Sequence, residues 1–188
     1  MMIVRPNPDE SNPLWEYFSK NSDRLIHKWC HYFDVYHNHF HRFIGKSVKI
    51  LEIGVNHGGS LQMWKHFFGE NAQIYGVDVN PSCRAFEEEQ IKILIGDQGD
   101  REFLRNVRTA FDSLDIIIDD GGHTMSQQTA TFEELFSSVN ESGIYLVEDM
   151  HTSYWPQYGG GYRKEDSCVE YSKKLIDQLN AWHSKDPD

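Results

Sequence analysis

The chain has 188 residues, 39% of them hydrophobic and 13% aromatic, which is enough for one packed core and argues against a second folding unit. A charged fraction of 25% is ordinary and excludes wholesale disorder. The 29 acids against 18 Lys and Arg give a formal charge of −11, the wrong sign for a nucleic-acid backbone or an anionic membrane surface.

The start, Met1-Met2-Ile3-Val4-Arg5-Pro6-Asn7-Pro8, has no apolar stretch of the kind a signal peptide needs, and the first dozen residues read as a loose arm. No run approaches the length of a membrane span. Cys30, Cys83 and Cys168 are odd in number and form no CxxC pair, so free thiols in a reducing cytoplasm are expected.

Leu14 to about Lys20 predicts a short helix. Ser22 to about Phe40 predicts a longer one, with Leu25, Trp29 and Phe33 at four-residue spacing. Their aromatics read as core or as a contact surface for a homo-oligomer. His27 and His31 fall on one predicted face, and His37, His39 and His41 alternate. Without a third ligand of fixed geometry no metal is assigned to them. Residues 1–44 are thus an N-terminal arm with helices, and 45–188 a single α/β unit.

After Gly45 the texture changes. Val48–Ile53, Ile74–Asp78, Ile91–Ile95, Leu114–Asp119 and Ile144–Glu148 are short apolar runs, as strands buried on both faces are. Helices are predicted between and after them near 58–68, 81–89, 99–110 and 125–139, with Pro81 in a first turn after the cap Asn80. This alternation predicts a Rossmann-like, doubly wound, mostly parallel sheet with flanking helices. Residues 149–164 read as a loop and Asp166 to about Trp182 as a last helix. Tyr154, Trp155, Tyr158 and Tyr162 of that loop either close over an apolar or sugar-ring substrate or anchor the loop.

Ligands of such sheets sit at the carboxyl ends of the strands. The first run ends in Glu52-Ile53-Gly54-Val55-Asn56-His57-Gly58-Gly59, an E-x-G-x-x-x-G pattern rather than the dinucleotide G-x-G-x-x-G. An acid at Glu52 repels a pyrophosphate and suits a cationic ligand such as S-adenosylmethionine. Asp78 is placed for a ribose diol and Asp97 for an adenine edge, although a strand-end Asp is as often a helix cap. The fourth run ends in Asp119-Asp120-Gly121-Gly122-His123 and the fifth in Glu148-Asp149. Carboxylates gathered in one crevice repel unless a cation joins them, and oxygen ligands favour Mg²⁺, Mn²⁺ or Ca²⁺ over Zn²⁺. His123, on the turn beyond Asp120, is a candidate general base for a substrate hydroxyl.

The stretches Leu51-Glu52-Ile53-Gly54-Val55, Asp119-Asp120-Gly121-Gly122-His123 and Val147-Glu148-Asp149-Met150-His151-Thr152 resemble class I S-adenosylmethionine-dependent methyltransferases. They are most similar to the metal-dependent O-methyltransferases of macrolide and rhamnosyl sugars, of the cephalosporin hydroxylase-like group. The resemblance implies Mg²⁺ (or Mn²⁺) on Asp120, Glu148 and Asp149, and His123 as base. It places Glu52, Gly54, Gly58, Asp78, Asp97 and Asp119 around S-adenosylmethionine, with a sugar-bearing small molecule as acceptor. It also implies strands six and seven, for which nothing remains after the helix following the fifth run. Either the chain is part of a longer one, or the sheet has an open edge that a partner covers. Two other readings stay open: a nucleotide-dependent oxidoreductase on the same fold, and a non-catalytic cofactor-binding module.

Overall fold

The computed structural model describes residues 8–111 and 113–185. Its centre is a five-stranded, fully parallel sheet: β1 (Lys49–Ile53), β2 (Gln73–Asp78), β3 (Ile91–Ile95), β4 (Leu114–Asp119) and β5 (Val139–Val147), in the order β3-β2-β1-β4-β5. The chain winds outward from β1 to β3, then crosses back to β4. The order therefore reverses between β1 and β4, and a crevice opens at their carboxyl ends.

Among the described residues six α-helices accompany the sheet: α1 (Pro13–Lys20), α2 (Tyr32–Phe40), α3 (Gly59–Phe68), α4 (Arg101–Ala110), α5 (Met125–Leu135) and α6 (Cys168–Asn180). Strand side chains alternate between faces, which builds two cores. Ile50, Ile74, Ile116 and Ile118 pack with Phe33, Tyr36, Phe40, Trp64 and Phe68 on one face. Leu51, Ile53, Val77 and Ile117 pack with Leu104, Val107 and Leu135 on the other. The first two helices are part of the former core, with Leu14 and Phe33 fully buried.

Several boundaries differ from the sequence expectation. The loose arm falls partly on residues 1–7, outside the described residues, while Pro8 and Asn12 are buried. Asn12 caps α1, accepting Leu14 N–H at 3.0 Å, and its amide reaches Asp34 at 3.2 Å. The long helix predicted from Ser22 begins only at Tyr32. The apolar spacing carried no buried stripe, since Leu25 and Trp29 are 58% and 55% exposed. The stretch is instead drawn across the strand ends by Arg24, bonded to Phe86 O, and by Lys28, bonded to three carboxylates; tertiary contacts override local propensity there. His27 and His31 consequently share no helix face, and among the described residues neither belongs to a group placed to hold a metal. The 81–89 helix is a single 3₁₀ stretch, Pro81–Phe86, capped by Asn80 as expected. β5 starts at Val139, because α5 and one further 3₁₀ turn end by Ser138. The loop after β5 carries two 3₁₀ turns, Met150–Tyr154 and Pro156–Tyr158. Among the described residues β5 is an edge of the sheet, and no helix is long and apolar enough to cross a membrane.

Candidate active site

A cleft of about 760 Å³ lies over the carboxyl ends of the strands. That is the size range of small-molecule and cofactor sites. The cleft is lined by Asp78, Asp97 and Gln98 at the β2 and β3 ends, by Gly54 and Val55 after the central β1, and by Asp120, His123, Glu148, Asp149 and Trp155 after β4 and β5. Gly54 has φ +95°, and a Cβ there would collide with the Asp120 carbonyl oxygen, so only glycine lets the turns after β1 and β4 approach this closely. Asp78 fastens the first turn: Oδ2 accepts the N–H groups of Val55 and Asn56 at 2.9 and 3.0 Å, and Oδ1 that of Asn80 at 2.8 Å. Asp97 Oδ1 accepts Gly99 N–H at 2.7 Å.

The acidic end is organised by the N-terminal segment. The Lys28 ammonium, with its side chain 2% exposed, lies 2.9 Å from Glu52 Oε1, 2.7 Å from Asp120 Oδ2 and 2.8 Å from Glu148 Oε1. Tyr36 donates to the same Glu148 oxygen at 2.5 Å. Trp29 Nε1 and the Tyr32 hydroxyl donate to Asp149 Oδ1 at 3.1 and 2.9 Å. Burial alone would lower the ammonium's pKa, but Glu52, Tyr36, Glu148 and Asp120 together hold it well above its ordinary value. Burial raises the Glu148 carboxyl to about 7, against the opposing pull of Lys28. Burial also pushes the Tyr32 and Tyr36 hydroxyls upward, which keeps them donors.

Facing this segment is the turn between β4 and α5. His123 Nε2 lies 3.7 Å from Asp120 Oδ1 and 3.7 Å from Asp149 Oδ2, while His123 Nδ1 is buried without a partner among the described residues. His123 and Asp149 both adopt left-handed backbone, φ +57° and +53°. Thr152 braces the two, its hydroxyl 3.1 Å from His123 O and 2.9 Å from Asp149 O. Thr124 and Gln127 close a capping box at the start of α5 directly after the turn.

The structure lines one cleft with Asp78 and Asp97 at the β2 and β3 ends, Gly54 in the middle against the Asp120 backbone, and Asp120, His123, Glu148 and Asp149 after β4 and β5. Three nominated residues are not on its wall. Glu52 shares a face of β1 with Ile50, which turns it beneath α3, where Oε2 accepts from Ser60 Oγ at 2.8 Å and Trp64 Nε1 at 3.1 Å. Gly58 caps α3 against the Phe86 ring. Asp119 is fully buried, accepts from Gln98 Nε2 at 2.6 Å and leaves Oδ2 without a hydrogen-bond partner among the described residues; burial raises its carboxyl to about 7. Of the loop aromatics, Trp155 and Tyr158 line the cleft, while Tyr162 is 78% exposed and does not. Sequence reasoning passed over Lys28 and gave Trp29, Tyr32 and Tyr36 no polar role. The one available signal was three aromatics with N–H or O–H tips following a lysine.

A family model described as a methyltransferase domain matches residues 51–150. Over 182 residues the chain is 38% identical to mycinamicin VI 2''-O-methyltransferase of Micromonospora griseorubida, covering 92% of this chain and 44% of that protein. It is 37% identical over 157 residues to 8-demethyl-8-alpha-L-rhamnosyl tetracenomycin-C 2'-O-methyltransferase of Streptomyces olivaceus, covering 79% of this chain and 41% of that one. Among solved structures, MycE methyltransferase from the mycinamycin biosynthetic pathway, in complex with Mg, SAH and mycinamycin VI, superposes with a TM-score of 0.81. The identity is 32%, and 93% of this chain and 47% of that one are covered. The chain thus spans less than half the length of these relatives.

Proposed function

We propose, from the premise that this chain belongs to the methyltransferase-domain family, that it transfers the methyl group of S-adenosylmethionine to a sugar hydroxyl of a glycosylated small molecule, aided by a divalent metal ion. The observation that carries this reading is the placement of His123 Nε2 3.7 Å from both Asp120 Oδ1 and Asp149 Oδ2, in the same cleft as Gly54, Asp78 and Asp97. The relatives' names support a glycoside acceptor, and Mg and SAH in the MycE complex support the cofactor and the ion. The charge of −11 suits a small acceptor better than a nucleic acid, and three free cysteines suit a reducing compartment such as the cytoplasm.

The donors fit the ion. Ligand atoms lie within 4.8 Å of one another in two groups that share Asp120, one with His123 and Asp149 and one with Glu52 and Glu148, and the combined set is rich in carboxylate oxygen, as Mg²⁺ and Mn²⁺ prefer. Asp120, Glu148 and Asp149 would hold it. When bound, such an ion lowers the pKa of a coordinated hydroxyl. The chain's own residues then have simple tasks. Gly54, Asp78 and Asp97 line the cofactor region, with Gly58 and Asp119 shaping it from behind, and Glu52 anchors Lys28 beside Asp120 and Glu148. Trp155 and Tyr158 wall the acceptor end. His123 Nε2 takes the hydroxyl proton as the acceptor oxygen forms its bond to the methyl carbon and the carbon–sulfur bond breaks, leaving S-adenosylhomocysteine.

Calorimetry with S-adenosylmethionine, S-adenosylhomocysteine and NAD tests the cofactor: binding of the first two is expected, and preferential NAD binding would restore the oxidoreductase reading. Methyl transfer to a deoxysugar glycoside with and without chelator tests the metal, and chelator-resistant turnover would remove it. A non-catalytic module is disfavoured by the complete His123, Asp120 and Asp149 arrangement.

A further inference from the structure

Each of the three carboxylates assigned to the metal has one oxygen already engaged by the same short stretch of chain. Asp120 Oδ2 is held by Lys28 at 2.7 Å. Glu148 Oε1 is held by Lys28 at 2.8 Å and Tyr36 at 2.5 Å. Asp149 Oδ1 is held by Trp29 at 3.1 Å and Tyr32 at 2.9 Å, with His151 Nδ1 at 3.9 Å. The donors do not converge on the other oxygens. Asp120 Oδ1 and Asp149 Oδ2 both face His123 instead.

We propose that residues 28–36 act as a metal-selectivity strap: by engaging one oxygen of Asp120, Glu148 and Asp149 each, they confine every carboxylate to single-oxygen ligation and so favour a small octahedral ion over Ca²⁺. This rests on the metal reading of the site given above. The physical basis is coordination number. Mg²⁺ takes six ligands in a tight octahedron, so three single oxygens leave three positions for water or a substrate diol. Ca²⁺ takes six to eight and gains them through carboxylates that bind with both oxygens. A carboxylate with one oxygen committed to an ammonium or to two neutral donors pays for the second contact by breaking those bonds. Lys28, Trp29, Tyr32 and Tyr36 are therefore positioning residues, and their effect is on which ion binds rather than on whether one does.

The experiment follows the free Mn²⁺ electron paramagnetic resonance signal of chelator-treated protein as Mg²⁺ or Ca²⁺ displaces bound Mn²⁺. The variants are Trp29→Phe/Tyr32→Phe, which frees Asp149 Oδ1, and Tyr32→Phe alone as the milder change. Phe33→Leu, next to Tyr32 in α2 but in the apolar core, controls for general loosening. The expected result is a shift of the Mg²⁺/Ca²⁺ affinity ratio toward Ca²⁺ by about tenfold in the double variant and about threefold in Tyr32→Phe, with Phe33→Leu unchanged. If the double variant fails to fold, the single one decides. An unchanged ratio, or an equal shift in Phe33→Leu, overturns the strap while the metal site stands. Absence of Mn²⁺ binding by the wild type overturns the metal reading and the strap with it.

Discussion

Gln98 Nε2 donates to the buried Asp119 Oδ1 at 2.6 Å. The carbonyl oxygen of the same amide accepts Gly122 N–H at 2.9 Å. The third strand end thereby fastens the fourth, one residue before His123, and Asp119 acts on the cleft through Gln98 rather than by touching its contents. Asp119→Ala should cost about 1–3 kcal/mol in urea unfolding, the usual penalty for stranding a buried polar partner, and should lower methyl transfer. Asp119→Asn keeps an acceptor for the amide and should retain most of the turnover. If both variants transfer methyl groups at the wild-type rate, the amide link does not set the turn.

His123→Asn should leave S-adenosylhomocysteine affinity within about threefold of wild type and lower kcat by about 10²–10⁴-fold, the range of a lost general base. Loss of cofactor affinity would show instead that the imidazole holds the turn together.

Lys28→Met removes a buried ammonium and leaves Glu52, Asp120 and Glu148 facing one another. Breaking a buried ion cluster by deleting one partner costs about 3–5 kcal/mol. Urea unfolding should show that loss, and added Mg²⁺ should recover part of it by supplying positive charge to the same acids. A loss below about 1 kcal/mol would mean that water reaches the cluster freely.

Burial pushes the thiols of Cys83 and Cys168 up to about 11, with Asp78 and Asp119 adding to the respective shifts. A raised pKa keeps the neutral thiol as pH rises, so roughly one part in a thousand is thiolate at pH 8, growing about tenfold per pH unit. Cys30 is exposed. A disulfide-exchange reagent at pH 8 should therefore titrate one thiol per folded chain, and the other two only after denaturation. Rapid reaction of all three in the native protein would contradict the buried placement.

The strands and the two ends of the cleft were legible because their signals are local. Five apolar runs of β length, a glycine turn after the first and acids at the ends of the others need only neighbouring residues to be read. Period-2 alternation, applied to Glu52, would also have turned it toward α3 rather than into the cleft. What was not legible is the strap. Lys28 meets Asp120 and Glu148 across 92 and 120 positions of chain, and Tyr32 meets Asp149 across 117. No spacing rule links residues that far apart. The four-residue rhythm of Leu25, Trp29 and Phe33 even pointed the wrong way, toward a helix that begins only at Tyr32, after the stretch in which Lys28 reaches Asp120.

The same separation gives the site an order of assembly. During synthesis Lys28 emerges long before Asp120, Glu148 and Asp149, and it stays a solvated cation until they arrive. Once made, the acids repel one another until the amino-terminal stretch lies down across them. Residues 24–36 lie outside β1 to β5, yet Phe33 and Tyr36 pack into one of the two cores of the sheet, so the stretch belongs to the folded unit itself. The acidic end of the cleft is therefore completed only when residues 24–36 meet strand ends made much later, and because Phe33 and Tyr36 of the same stretch fill one core of the sheet, losing it would open the cleft and loosen that core together.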